Sequence, residues 1–356
     1  MESSARVFFE RLLATPGVSG YEQKVQDEVR SYAADFTDSI TTDLHGNVVL
    51  CKNPDAEVRV MLAGHSDQIG LLVSHIDAAG FLYTQTVGDW DPQQLIGQRM
   101  VVWTTTGPVD GVIARKAIHL LEESEKNQVV KLQDLWIDIG ASSKEDAESL
   151  VQIGDCVTFP PGMKPLRNGL ATAPAMDNRA GVWVVVEALR RASKLSTDVG
   201  FYAVCTVQEE IGLRGAKTSA FSVDPHIGIA VDVTHATDCP TIDKRQNGEV
   251  NLGGGPVIVR GPNVNPEVAG RLKSLASTND IPVQVKAFGR AAPNDSNALQ
   301  VNRGGVATGI VAIPNRYMHS AVETISLSDI DHAASLLAHF AQSIRNAEDF
   351  IPVSGA

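Results

Sequence analysis

The sequence predicts an α/β protein with a central mixed, mostly parallel sheet, helices on both faces, and an inserted small β-barrel-like domain. Three observations predict it. The runs Val58–Ala63, Val199–Val207 and Ile227–Val233 are nearly unbroken in apolar residues, as in parallel strands covered on both faces. Stretches of helical period lie between and after them. From about 70 to 165 the pattern changes to short strand-like runs cut by Gly, Pro and Asp turns, which suggests a small barrel or sandwich. The expected division is a main α/β domain in two parts, 1–69 and 166–356, around an inserted β-rich unit, 70–165.

Each element has a local reason. Val7, Phe8, Leu12 and Leu13 sit at helical spacing, and Pro16-Gly17 stops that helix. Ser19 with Glu22 three residues on reads as a capping box for a second helix carrying Val25, Val29 and Tyr32. Ile40–Leu44 and Val48–Leu50 flank His45-Gly46-Asn47, a hairpin turn that makes His45 a turn residue rather than a ligand. In the β-rich unit the strand-like runs are Ile69–Ile76, Phe81–Thr86, Met100–Thr104, Val109–Ile113, Leu135–Ile139 and Asp155–Phe159. Ser142 or Ser143 caps the unit's one clear helix. After Pro160-Pro161-Gly162 a long helix is expected from about Asn178 to Ala192. Pro266 opens another helix, and Ser328 caps a closing one that runs to about Ile344.

Composition narrows the function. The chain has 356 residues and 43% apolar content, enough for a large core. Its net charge of -12, with no Lys/Arg cluster interleaved with aromatics, argues against nucleic acid as a partner. Cys51, Cys156, Cys205 and Cys239 form no C-x-x-C, which fits a reducing compartment rather than a disulfide framework or thiolate zinc site. No apolar run approaches the roughly 18–20 residues of a membrane span, and the acidic start Met1-Glu2 lacks a signal-like core. A cytoplasmic protein that neither enters nor binds a membrane is the expectation.

The chemistry-bearing residues gather at strand ends, where open α/β sheets build their sites. His65 and Asp67 follow one strand, on one face by their spacing of two. Glu209 and Glu210 follow a second strand, Asp232 ends a third, and His319 follows the last. Asp177 opens a helix, where its charge suits the N-terminal dipole. A two-metal hydrolase needs this inventory: a bridging carboxylate, terminal N/O ligands, and an acid/base beside the bound water. Ligation by His and carboxylate without thiolate suits Zn, Co or Mn. Glu209 and Glu210 share one site only if the strand is already unwinding there.

At these residues the chain resembles the glutamyl aminopeptidase, or tetrahedral (TET) aminopeptidase, family of dinuclear metallopeptidases. The matching motifs are Pro16-Gly-Val-Ser-Gly-Tyr-Glu22, Gly64-His-Ser-Asp-Gln-Ile-Gly70 and Met176-Asp-Asn-Arg-Ala-Gly181. They continue through Val207-Gln-Glu-Glu-Ile-Gly212, Val231-Asp-Val-Thr-His235 and Arg316-Tyr-Met-His-Ser320, with Gly88-Asp-Trp-Asp-Pro92 and Ile137-Asp-Ile-Gly-Ala-Ser142 in the inserted unit. The resemblance implies two divalent ions per subunit, with Asp177 bridging them. It implies His65 and Asp232 at one ion and Glu210 and His319 at the other. Glu209 would be the general acid/base, and Asp67 would orient His65. The inserted unit would be a dimerisation domain, dimers would build a homo-oligomer up to a dodecamer, and the substrates would be peptides with a free N-terminus. In one departure, Pro293-Asn294-Asp295 stands where the family often has Gly-Thr-Asp, at a loop that would shape the active-site entrance.

Other readings exist. A glycosidase would place its two carboxyls about 5–10 Å apart across one bond, and would leave the nearby His and Asp residues without a role. A Ser-His-Asp hydrolase lacks its G-x-S-x-G elbow. A carboxypeptidase or deacylase on the same scaffold, and a non-catalytic oligomeric binding protein, remain as alternatives. His332 and His339, seven apart on the closing helix, read as packing or surface residues. His235 is the remaining histidine nearest the constellation, with a contact to substrate left open.

Overall fold

The computed structural model describes residues 1–353. Eight strands form one sheet in the order Ser39–Thr42, Val48–Lys52, Gly200–Thr206, Arg59–His65, Ile227–His235, Ala307–Asn315, Val257–Arg260 and Gln284–Ala287. The four central strands are parallel to one another. Antiparallel neighbours flank them on either side. This is the expected mixed sheet, and its parallel centre is why those runs carry almost no polar residue.

Alternation along the strands separates two cores. Val60 and Leu62 face one layer, built with the helices Ser3–Ala14, Gln23–Ala33, Met176–Ala192 and Leu327–Ser343. Met61 and Ala63 face the other, with Ala220, Val223 and Leu299 from the helices Arg214–Val223 and Ser296–Gln300. Trp183 is wholly buried in the first layer, and its indole N–H donates to the Ala5 carbonyl at 2.7 Å.

Between Arg59–His65 and the long helix the chain builds a closed six-stranded barrel. Its strands follow the order Gly70–Ile76, Leu82–Val87, Trp136–Asp138, Gly107–Ala114, Gln98–Thr104 and Cys156–Thr158. The barrel has its own core around Leu71, Leu82, Val102, Ile113 and Val157. Among the described residues no helix is long and apolar enough to cross a membrane.

Three local expectations need correction. The second helix begins at Gln23 with Glu22 as its N-cap and no side-chain cap bond. Ser19 and Glu22 do not form a capping box because both side chains are bonded elsewhere, to Asp67 and to the main chain of Gly20 and Gln208. The closing helix starts two residues early, with Ser326 rather than Ser328 at its cap. Asp177 does not simply open a helix: Asp177 and Asn178 leave helical geometry, and the Asn178 amide bonds the Val231 carbonyl and the Gly181 N–H.

Candidate metal centre

The centre forms where the start of the long helix closely approaches two central strands. A Cβ on Gly64 would lie 2.8 Å from the Gly181 carbonyl carbon, and one on Gly181 would lie 2.6 Å from the Val231 carbonyl oxygen. Only glycine lets the start of the long helix settle onto the two central strands this tightly. That contact brings Asp177 beside His65 and Asp232.

His65 Nε2 lies 3.2 Å from Asp177 Oδ1, 3.5 Å from Asp232 Oδ1 and 4.0 Å from Glu209 Oε2. His319 Nε2 lies 3.3 Å from Asp177 Oδ2 and 3.5 Å from Glu210 Oε2. Each oxygen of Asp177 therefore faces a different imidazole. All seven residues singled out in the sequence meet here. Ligand atoms of His65, Glu209 and Asp232 form one group within 4.8 Å, and those of His65, Asp177 and Glu210 form another.

The two glutamates face one site because the strand ends at Thr206, before them. Gln208 takes a left-handed φ of 55° and turns the chain. Asp67 secures the turn. Its Oδ1 accepts from Glu209 N–H at 3.0 Å and its Oδ2 from Glu210 N–H at 3.1 Å. The Ser19 hydroxyl donates to Oδ2 at 2.7 Å, and His65 Nδ1 lies 3.3 Å from Oδ1. Glu22 adds a bond from Gln208 N–H at 3.1 Å. Arg179, from the Asp-Asn-Arg motif, is fully buried and donates to the carbonyls of Leu12 and Thr15 and to Gln68 Oε1, tying the first helix to the loop behind His65.

His319, the most exposed of the set at 29%, stands at a left-handed φ of 60°. Its Nδ1 donates to the Asp89 carbonyl at 3.1 Å, a group supplied by the barrel. That bond leaves Nε2 free to ligate. Trp90 anchors the same barrel loop through its indole N–H to the Gly70 carbonyl at 2.9 Å.

Sequence reasoning missed Glu323. Its Oε2 accepts from Asp177 N–H at 2.7 Å and its Oε1 from His319 N–H at 2.8 Å. The Pro293-Asn294-Asp295 segment lies close enough to the site for the Asp295 charge to act on Glu209. Asp295 is buried, and its Oδ2 accepts from the Thr206 hydroxyl at 2.7 Å. His235 is exposed at its strand end, and His332 and His339 are half-buried on the closing helix. None of the three belongs to either group of metal-type ligands.

The electrostatics call for cations. Burial alone would lower the His65 pKa, but Glu209, Asp177, Asp232 and Asp67 outweigh it and hold the ring well above its usual value. Burial pushes Glu209 and Glu210 well up, reinforced at Glu210 by Asp177. Burial also raises Asp232. Asp177 runs the other way: its two histidines overcome burial and hold it low. Glu323 is pushed to about 8 by burial and by Asp177. Among the described residues no lysine or arginine pairs with the four converging carboxylates, whose only basic neighbours are His65 and His319. Glu210 Oε1 is buried without a hydrogen-bond partner. Buried anions without counter-charge are costly, so the donor set fits divalent ions.

A concavity of about 480 Å³ between the first two helices and Arg190 lies elsewhere. The polar groups of Tyr32 and Arg190 in its wall are already paired with Glu187.

Comparison with known proteins places the chain in a family. The family described as M42 glutamyl aminopeptidase matches residues 46–336. The chain belongs to this family. It is a hydrolase of the aminopeptidase class. A lysyl aminopeptidase from Pyrococcus furiosus is 37% identical over 96% of this chain and 98% of its own length. A TET aminopeptidase from a marine sediment Thaumarchaeota archaeon superposes with a TM-score of 0.93, at 32% identity over 98% of this chain and 99% of that one. The Pyrococcus horikoshii TET1 peptidase, described as assembling into a tetrahedron or a large octahedral shell, gives a TM-score of 0.85 at 31% identity, covering 96% and 100%.

Proposed function

We propose that this M42 peptidase is a dinuclear metallo-aminopeptidase that removes N-terminal residues from peptides. The observation that carries the reading is the Asp177 carboxylate, which offers one oxygen toward His65 and the other toward His319. In this reading His65 and Asp232 would hold one divalent ion, Glu210 and His319 would hold the other, and Asp177 would be shared between them. When bound, the ions supply Lewis-acid polarisation of the scissile carbonyl and a water acidified toward neutral pH.

The protein's own groups do the rest. Glu209 is the acid/base: its Oε2 is 4.0 Å from His65 Nε2, and burial raises its proton affinity. A carboxyl so tuned takes a proton from the attacking water and returns it to the departing amine. Asp67 holds the main chain of Glu209 and the His65 ring in register. The barrel is read as the surface through which dimers form, and assembly up to a dodecamer is proposed from the likeness to a TET peptidase described as a dodecamer. A cytoplasmic location fits the unpaired cysteines.

The test is a panel of aminoacyl-peptide amides and their N-acetylated forms, assayed with Zn, Co or Mn added to metal-free protein. Hydrolysis of the free-amine forms alone is expected. Cleavage of the acetylated forms at comparable rates would favour a deacylase or another peptidase of this scaffold. No cleavage with any metal would favour the non-catalytic alternative.

A further inference from the structure

Two fully enclosed carboxylates beside the centre have no part in the roles above. Asp295 bonds only the Thr206 hydroxyl, and its Oδ1 has no partner. Glu323 is engaged on both oxygens, and its partners are telling. One oxygen accepts the N–H of Asp177 at 2.7 Å, the other the N–H of His319 at 2.8 Å. These two residues come from different parts of the fold: Asp177 from the irregular start of the helix Met176–Ala192, His319 from the loop after the strand Ala307–Asn315. Their side chains meet again above Glu323, where Asp177 Oδ2 lies 3.3 Å from His319 Nε2.

We infer that Glu323 is a positioning residue that fixes the spacing between Asp177 and His319 and so preforms the place of the second ion. The inference rests on the two-ion reading above.

The loop that presents His319 needs this support. Tyr317 and His319 both adopt left-handed φ values, 61° and 60°. Such conformations in residues other than glycine cost on the order of 1 kcal/mol or more each. Within the loop, main-chain bonds between Arg316 and Thr324, at 2.9 and 3.0 Å, close the base. The tip is held by Glu323 on the main chain and by the Asp89 carbonyl on the ring. Among the described residues Glu323 pairs with no lysine or arginine, so the two N–H groups are what hold its carboxylate in place.

The arrangement mirrors that of Asp67. Asp67 holds the N–H groups of Glu209 and Glu210, one on each oxygen. Glu323 does the same for Asp177 and His319. Between them, two buried carboxylates hold the main chain at the proton carrier and at three of the five ligands.

Glu323→Gln separates this role from general stability. Glutamine keeps the volume but offers one acceptor oxygen for two N–H donors, and it turns an amide donor toward the other. Metal-free wild type and variant are titrated with Co²⁺ by calorimetry and visible absorption, and melted in parallel. Wild type is expected to bind two ions. The variant should bind one with affinity within about threefold of wild type and the other at least about tenfold more weakly, in the range usual for lost partners behind a ligand. Its metal-free melting temperature should stay within a few degrees. Two ions bound at wild-type affinity, or both weakened alike, would overturn the inference. Wild type taking up a single ion would instead sink the two-ion reading on which it rests.

Discussion

Asp67 accepts the main-chain N–H of Glu210 at 3.1 Å, across a bend where the chain has already left its strand. The same carboxylate receives Glu209 N–H and the Ser19 hydroxyl and faces the His65 ring. It acts on the site from behind. Asp67→Asn presents one acceptor where two are used, so one glutamate N–H loses its partner. Metal affinity is expected to fall about 10–100-fold, with a parallel loss of turnover at limiting metal that excess metal partly restores. Unchanged metal affinity in a direct titration would show that Asp67 does not position the site.

Glu209 and Asp177 are predicted to fail in different ways. Glu209→Gln keeps both ions but loses turnover by about 10²–10⁴-fold, the usual contribution of a positioned acid/base. Asp177→Ala removes the one carboxylate shared between the two histidines, and metal content should drop below two ions per chain. Stoichiometry by elemental analysis alongside kcat separates the two. A Glu209→Gln variant with near-full activity would reassign the proton carrier.

Why the sequence revealed so much of the centre, and where it fell silent, follows from what marks each residue. His65, Asp67 and Asp232 end apolar strands, and such ends converge in a parallel sheet, so their meeting was legible. Glu209 and Glu210 were legible as candidates only. The apolar run continues to Val207, and nothing in it announces the left-handed Gln208 that lets both side chains face one way. Asp177 carried a motif, but its departure from the helix depends on Asn178 bonding the main chain of another strand. Glu323 had no periodic signature. Its one signal was its place four residues after His319, a carboxylate in reach of a turn's N–H groups. Ser19 and Glu22 misled for a related reason: a capping pattern is local, and bonds to Asp67 and Gln208 outcompeted it.

Arg179 should matter to stability more than to chemistry. Its buried guanidinium donates to the carbonyls of Leu12 and Thr15 at the end of the first helix and to Gln68. Arg179→Met leaves those buried acceptors unpaired, at about 1–3 kcal/mol each. A net loss of roughly 2 kcal/mol or more is expected, read as a lower denaturant midpoint in metal-free protein. Arg179→Lys should recover little of it, because an ammonium cannot span the same fork of acceptors.

Metal uptake should release protons. In the metal-free protein the surrounding carboxylates outweigh burial and hold the His65 pKa well above its usual value, so the ring is protonated near neutral pH. A ligand histidine must be neutral. Burial also raises Glu210, adding a second source. Apparent metal affinity therefore rises with pH through the neutral range, as competing protons leave. Calorimetric titrations in two buffers of different ionisation enthalpy measure the protons released. A heat independent of the buffer would contradict the raised His65.

The barrel reaches into the centre through Gly88 and Asp89, so a change there should be felt at the metal. Gly88 has a φ of +77°, and a Cβ on it would come within 2.5 Å of the Ile69 side chain and 3.5 Å of Glu210 Cβ. The next residue supplies the carbonyl that accepts from His319 Nδ1. Gly88→Ala must therefore shift the loop, and the shift carries the Asp89 carbonyl away from the ring. The expected outcome is weaker binding of the ion assigned to Glu210 and His319, with the ion assigned to His65 and Asp232 less affected. Trp90→Phe is the milder companion: it loses the indole bond to the Gly70 carbonyl but keeps an aromatic ring against Phe159. It should move metal affinity in the same direction by a smaller factor. Stepwise Co²⁺ titration of both variants orders the effects. Wild-type affinities in Gly88→Ala would mean that the barrel loop touches the centre without positioning it.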